Sequence, residues 1–90
     1  MILSFLHKGL KRFYLVGDLS GIKATYAKRL RLILVRLESI VRPEDMHLPG
    51  FDFHKLSGRL QDNYTVNKNW RGTFKFDGSD AYDVHYLDYH

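Results

Sequence analysis

Apolar residues along this chain change their spacing near residue 43. Across residues 24–41 they recur at 26, 30, 33, 34, 37 and 41, while Lys28, Arg29, Arg31 and Arg36 fall outside that stripe. The spacing predicts an amphipathic helix with a basic outer surface. Pro43 limits it, because the residue before a proline is pushed out of the helical region. Upstream, Ser4 is suited to cap a first short helix carrying Leu6, Leu10, Phe13 and Tyr14 on one side. Gly9 weakens that helix by about 1 kcal/mol relative to alanine, and Gly17-Asp18-Leu19-Ser20-Gly21 breaks it.

A connector over residues 43–51, with Pro43, Pro49 and Gly50, leads into a shorter period. Residues 51–56 read as a strand. Residues 64–66 and 70–76 flank Asn67-Lys68-Asn69 as a tight hairpin. In its second strand Trp70, Gly72, Phe74 and Phe76 share one face and Arg71, Thr73 and Lys75 the other, so one face belongs to the core and the other is wet and basic. After a turn at Asp77-Gly78-Ser79-Asp80, residues 81–87 form a last strand with Tyr82, Val84 and Tyr86 on one side. Two N-terminal helices packed on a small, mainly antiparallel β-sheet make an α+β fold, with residues 1–90 as a single domain.

Composition narrows the class. The chain has 90 residues, enough for one modest core that buries roughly 60 to 65% of the surface exposed by the unfolded chain. With no cysteine it has neither a disulfide framework nor thiol catalysis, which fits a reducing compartment. The opening run Met1-Ile2-Leu3-Ser4-Phe5-Leu6 is interrupted by His7 and Lys8, too soon for a signal peptide or membrane span. A soluble, cytoplasmic protein is expected. Charge is unevenly placed: residues 1–42 hold nine Lys or Arg against Asp18 and Glu38, a balance of +7, and residues 43–90 balance at −3. This asymmetry suits a polyanion on one side and an acidic partner segment, or else a solvated helix face.

The chemical inventory is short. There is no hydrolase nucleophile signature, phosphate-binding loop or dinucleotide fingerprint. His7 and His47 read as surface groups. His54 lies in the first strand beside Lys55 and just before Ser57-Gly58-Arg59. Asp83, His85, Asp88 and His90 are close in sequence, but on a regular strand Asp83 and His85 face away from Asp88 and His90, so they do not converge on one metal ion. Neither metal nor cofactor is expected.

Metal-free cleavage of RNA asks for a group to take the 2′-hydroxyl proton, a group to protonate the leaving 5′-oxygen, and cations around the phosphate. His54 and His90, helped by Asp88, supply the proton carriers if the end of the last strand folds beside the first. Arg71, with Lys55 or Arg59, supplies the cations, and Tyr89 or Tyr86 can stack on a base or lend a hydroxyl.

At these residues the chain resembles the HigB-like toxins of the RelE/ParE superfamily, the growth-arresting half of bacterial type II toxin-antitoxin pairs. Ordered blocks carry the resemblance: Phe5-Leu6-His7-Lys8-Gly9-Leu10-Lys11-Arg12-Phe13, Ala27-Lys28-Arg29-Leu30, Pro43-Glu44-Asp45-Met46, Leu48-Pro49-Gly50, Asn69-Trp70-Arg71, and Ala81-Tyr82-Asp83-Val84 leading to Asp88-Tyr89-His90. The resemblance implies a ribosome-dependent endoribonuclease that cuts translated messenger RNA in the decoding site of the 70S ribosome and leaves a cyclic phosphate. It implies catalytic roles for His54, Asp88, Tyr89 and His90. RNA contacts fall to Lys55, Arg59 and Arg71, and to Lys28, Arg29, Arg31 and Arg36 of the basic helix against ribosomal RNA. A HigA-like antitoxin is the implied partner, operator DNA being reached only through the antitoxin complex. Two other activities fit the scaffold: ParE-like poisoning of DNA gyrase, and an attenuated toxin acting mainly in operator autoregulation.

One departure from the family pattern stands out. The run Tyr64-Thr65-Val66-Asn67-Lys68-Asn69-Trp70-Arg71 is about two residues shorter than usual, an even change that preserves side-chain facing. Leu60, Gln61, Asp62 and Asn63 replace the usual basic and glycine residues after Gly58.

Overall fold

The computed structural model describes residues 1–56 and 63–88. Helix α1 spans Lys8–Val16, and α2 spans Ala27–Ser39 after a single 3-10 turn at Ala24–Tyr26. A second 3-10 turn, Pro43–Met46, precedes four strands: β1 His54–Lys55, β2 Asn63–Val66, β3 Arg71–Asp77 and β4 Asp80–Leu87. The strands form one antiparallel sheet in the order β1-β2-β3-β4. This confirms an α+β protein with a meander sheet. Among the described residues one buried cluster joins Leu10 and Phe13 of α1, Leu30, Ile33, Leu34 and Leu37 of α2, and Val66, Phe74, Val84 and Tyr86 of the sheet.

The first helix starts later than its apolar spacing suggests. His7 is the capping residue, its Nδ1 accepting from the Leu10 N–H at 2.9 Å. Gly17 closes the helix with φ 74°, its N–H donating to the Phe13 carbonyl at 2.9 Å. Ser4 therefore does not cap a helix, and Leu6 lies outside it and exposed. Residues 2–5 instead run parallel to β4, with bridges Ile2 to Ala81 and Phe5 to Val84. Backbone hydrogen bonds of 2.8–3.1 Å from both sides cover what would otherwise be an open strand edge.

Gly9 has a packing reason that outweighs its helix propensity. A Cβ placed there would sit 2.3 Å from the carbonyl oxygen of Gly21, in the loop that follows α1. Gly9→Ala is accordingly expected to lower the melting temperature, although propensity alone would raise stability by about 1 kcal/mol. A thermal melt reads the sign directly.

Helix α2 buries Leu30, Ile33, Leu34 and Leu37 as its spacing requires, but it ends at Ser39. Ile40 turns into the core and Val41 is left exposed, so the stripe stops one turn short of position 41. Its outer surface is not purely basic: Leu32 and Val35 are exposed alongside Lys28 and Arg31. The expected strand over 51–56 shrinks to His54–Lys55. Phe51 closes a turn onto the Leu48 carbonyl and is buried, and Asp52 adopts φ 48°, so the chain becomes extended only after it.

Strand β3 keeps the expected alternation, with Gly72 and Phe74 buried and Arg71 exposed. Strand β4 does not. Thr73 faces His85 and Lys75 faces Tyr82, so Asp83 and Val84 together oppose Phe74 in a β-bulge, with Asp83 at φ 52°. Facing is thereby switched midway. Ala81, Val84 and Tyr86 are buried, and Tyr82 leaves the side it was expected to share with Val84. Ser4 holds the bulge: its Oγ accepts from the Asp83 N–H at 2.9 Å and its hydroxyl donates to Asp83 Oδ1 at 3.3 Å. Lys75 lies 3.9 Å from the same carboxylate.

Candidate functional site

A meander of antiparallel strands puts the start of β1, the end of β2, the start of β3 and the end of β4 at one end of the sheet. His54 on β1, Arg71 on β3 and Asp88 just past β4 are gathered toward that end. Along one rung His54 pairs with Thr65, Thr65 with Thr73, and Thr73 with His85. The last strand thus does not fold beside the first: two strands separate them, roughly 14 Å at the usual interstrand spacing. A site joining His54 to the Asp88 region must bridge the width of the sheet at this end. Tyr89, His90 and Arg59 lie outside the described residues.

His54 is exposed and has a partner that its sequence context did not reveal. Its Nε2 lies 3.1 Å from Asp52 Oδ1, and both groups are open to solvent. The positive φ of Asp52 allows residues 52 and 54 to meet. A carboxylate at that distance holds the ring in one orientation. An acidic residue two positions before a strand histidine was the available signal. Lys55, next along β1, is exposed with its ammonium 6.0 Å from the Tyr64 ring centre. Arg71 is exposed at the start of β3, opposite Leu87.

Asp88 is held from the beginning of α2. The Tyr26 hydroxyl donates to Asp88 Oδ2 at 2.8 Å, and the Lys23 ammonium lies 3.9 Å from the same oxygen. Tyr26 and Lys23 were not among the expected site residues, since position 26 reads from sequence as part of an apolar stripe.

The four cations of the basic helix do not behave alike. Lys28, Arg31 and Arg36 are exposed, Arg31 lying over the Phe13 ring at 5.4 Å and Arg36 donating to the Asp45 carbonyl at 3.4 Å. Arg29 is half-buried and occupied. Its Nε donates to Asn67 Oδ1 at 3.3 Å, its Nη2 to the Gly50 carbonyl, and its guanidinium covers the Phe51 ring at 4.8 Å. It sits beside the buried stripe and ties α2 to the connector and the hairpin, so it is not a free cation on the outer face.

His7 is likewise not a simple surface group. Its ring lies 5.4 Å from that of His85 and 4.8 Å from that of Tyr86, while His85 Nδ1 is buried with no hydrogen-bond partner among the described residues. Burial, followed by repulsion from His85, lowers the His7 pKa. As pH falls below the ordinary imidazole value of about 6.5, the unfolded chain therefore takes up its proton first, and folded stability declines as pH drops through the lowered value. Protonation also removes the lone pair that caps α1. His7→Asn keeps a capping acceptor but does not titrate. Between pH 7.5 and 5.5 the melting temperature of the natural chain should fall more steeply than that of His7→Asn, whereas parallel curves would show that the cap is not pH-linked.

Comparison with known proteins defines the class. Residues 3–90 match the family described as the RelE-like toxin of the type II toxin-antitoxin system HigB, and the chain belongs to that HigB-like toxin family. Over 92 aligned residues it is 36% identical to "Endoribonuclease HigB" of Proteus vulgaris, with 100% of each chain covered. Among the described residues no helix is long and apolar enough to cross a membrane.

Proposed function

We propose that this chain is an endoribonuclease that enters the decoding site of the ribosome and cuts translated messenger RNA by side-chain acid/base chemistry. Membership of the HigB-like family and the likeness to a named endoribonuclease support the reaction class. The observation that carries the site is the exposed His54–Asp52 pair at the same end of the sheet as Arg71 and Asp88. In this reading both helices pack on the sheet as in RelE-like toxins, and RNA meets the sheet at that end.

The reaction balances without an outside reagent. The 2′-hydroxyl oxygen attacks phosphorus as one group removes its proton, the bond from phosphorus to the 5′-oxygen breaks, and a second group protonates that oxygen, leaving a 2′,3′-cyclic phosphate. His54 and His90 are the two proton carriers. Asp88 and Tyr89 set the second of them, and Arg71, Lys55 and Arg59 stabilise charge on the phosphoryl oxygens. Lys28, Arg31 and Arg36 meet ribosomal RNA. The chain works in the cytoplasm, a HigA-like antitoxin neutralises it, and operator DNA is reached only through that complex.

The test is to map messenger RNA ends after adding the purified chain to programmed ribosomes. Cuts that require the ribosome and end in cyclic phosphate support this reading. Intact message together with trapped gyrase–DNA complexes would replace it with the ParE-like activity.

A further inference from the structure

We infer that Tyr26 is a positioning residue for cleavage, fixing the Asp88 carboxylate from the turn that begins α2. The inference rests on the proposed catalytic role of the Asp88-Tyr89-His90 run. Three contacts fix the ring. Its ring stacks on Trp70 with centroids 4.9 Å apart and planes at 26°, the Lys23 ammonium lies 5.1 Å from its centre, and Tyr86 meets it edge-on at 6.5 Å. Trp70 is itself buried and packs edge-on against Tyr86 at 5.9 Å. Aromatic groups from the turn before α2, the β2–β3 loop and β4 thus hold one another, so the hydroxyl of Tyr26 occupies a set position.

That hydroxyl is aimed at Asp88, with a hydrogen bond of 2.8 Å to Oδ2. The backbone adds a second tie two residues upstream, where the Lys23 N–H donates to the Tyr86 hydroxyl at 3.2 Å. The turn therefore grips β4 at Tyr86 and the chain beyond it at Asp88. Hydrogen bonding to Asp88 is also the main cause that raises the Tyr26 pKa, keeping the phenol protonated as a donor. A base-stacking role suits Tyr26 poorly, because Trp70 and Lys23 take its faces. Its work is to hold the carboxylate that opens the Asp88-Tyr89-His90 run, a run proposed to act in proton transfer, where small displacements are costly in rate.

Tyr26→Phe removes the hydroxyl and keeps the ring. In single-turnover cleavage on programmed ribosomes it should lower the rate by roughly 10- to 100-fold, with binding to the ribosome unchanged. The loss should vanish in an Asp88→Ala background, because the two groups act through one contact. A defect in folding would instead add to the Asp88→Ala loss, so the coupling separates positioning from stability. Full activity in Tyr26→Phe, or losses that simply add, would overturn the inference. If Asp88→Ala and His90→Ala both cleave at the natural rate, the reading of the Asp88-Tyr89-His90 run fails, and this inference with it. An inactive His90→Ala beside a fully active Tyr26→Phe overturns the positioning role alone.

Discussion

His54→Ala is expected to slow cleavage of translated messenger RNA by about 10²- to 10⁴-fold, the usual contribution of a positioned proton carrier. Its melting temperature should stay close to that of the natural chain, because His54 is exposed on a two-residue edge strand and fills no part of the core. Asp52→Asn tests the partner. It keeps the size of the side chain but removes the carboxylate 3.1 Å from Nε2, and an exposed pair of about 0.2–1 kcal/mol converts to a loss of at most about 5-fold in rate. A larger loss in Asp52→Asn than in His54→Ala would contradict the order of roles. Removing Tyr89 and His90 together should match the loss in His54→Ala while leaving the buried cluster intact. Mapped messenger RNA ends and a thermal melt on the same preparations decide both halves, and unchanged cleavage in both folded variants would dismiss the site.

Deleting Asp83 is expected to be the most damaging change to the fold. The deletion restores an unbroken ladder with β3 and leaves Ala81, Val84 and Tyr86 on the core face, but it brings Ala81 and Val84 one residue closer together while their partners Ile2 and Phe5 stay three residues apart. The opening segment can then keep its backbone pairing with Ala81 or with Val84 but not with both, and Ser4 loses the Asp83 N–H. Displacing a buried side chain such as Ile2 commonly costs about 2–5 kcal/mol, a large share of the stability of an ordinary marginally stable domain. Asp83→Gly should behave oppositely. Glycine accepts φ 52° without strain and leaves the Ser4 hydroxyl with its backbone partner, so stability should change by about 1 kcal/mol or less. Expression yield and circular dichroism of the two variants distinguish a required bulge residue from a required aspartate. A deletion variant as stable as the natural chain would show that the pairing of the opening segment with β4 does not depend on the bulge.

Much of the fold could be read from local pattern. The stripe at Leu30, Ile33, Leu34 and Leu37 specifies α2, and the alternation through Trp70, Gly72, Phe74 and Phe76 specifies β3, because each is set by spacing within one element. The errors share another origin. Ser4 looked like a cap until its hydroxyl was found on the bulge 79 residues away. Tyr82 looked like a core residue until Asp83 and Val84 both came to oppose Phe74. Gly9 looked like a weakness until Gly21 lay against it. In each case the deciding group comes from a different element.

The same division runs through the candidate site. The sequence by itself determined the residue types on offer: His54, a basic first half, Arg71 after Trp70, and the Asp88-Tyr89-His90 run, along with the family they point to. Tertiary structure alone decided which of them are free to act and what holds them. It committed Arg29 to Asn67 and Gly50, joined Asp52 to His54, and placed Tyr26 on Asp88 across 62 residues of chain. Spacing can announce a helix face or a strand face because the period belongs to the local backbone. A hydrogen bond between elements depends on register, bulges and turns that accumulate along the whole fold, so those pairings exist only once the sheet and helices are in place.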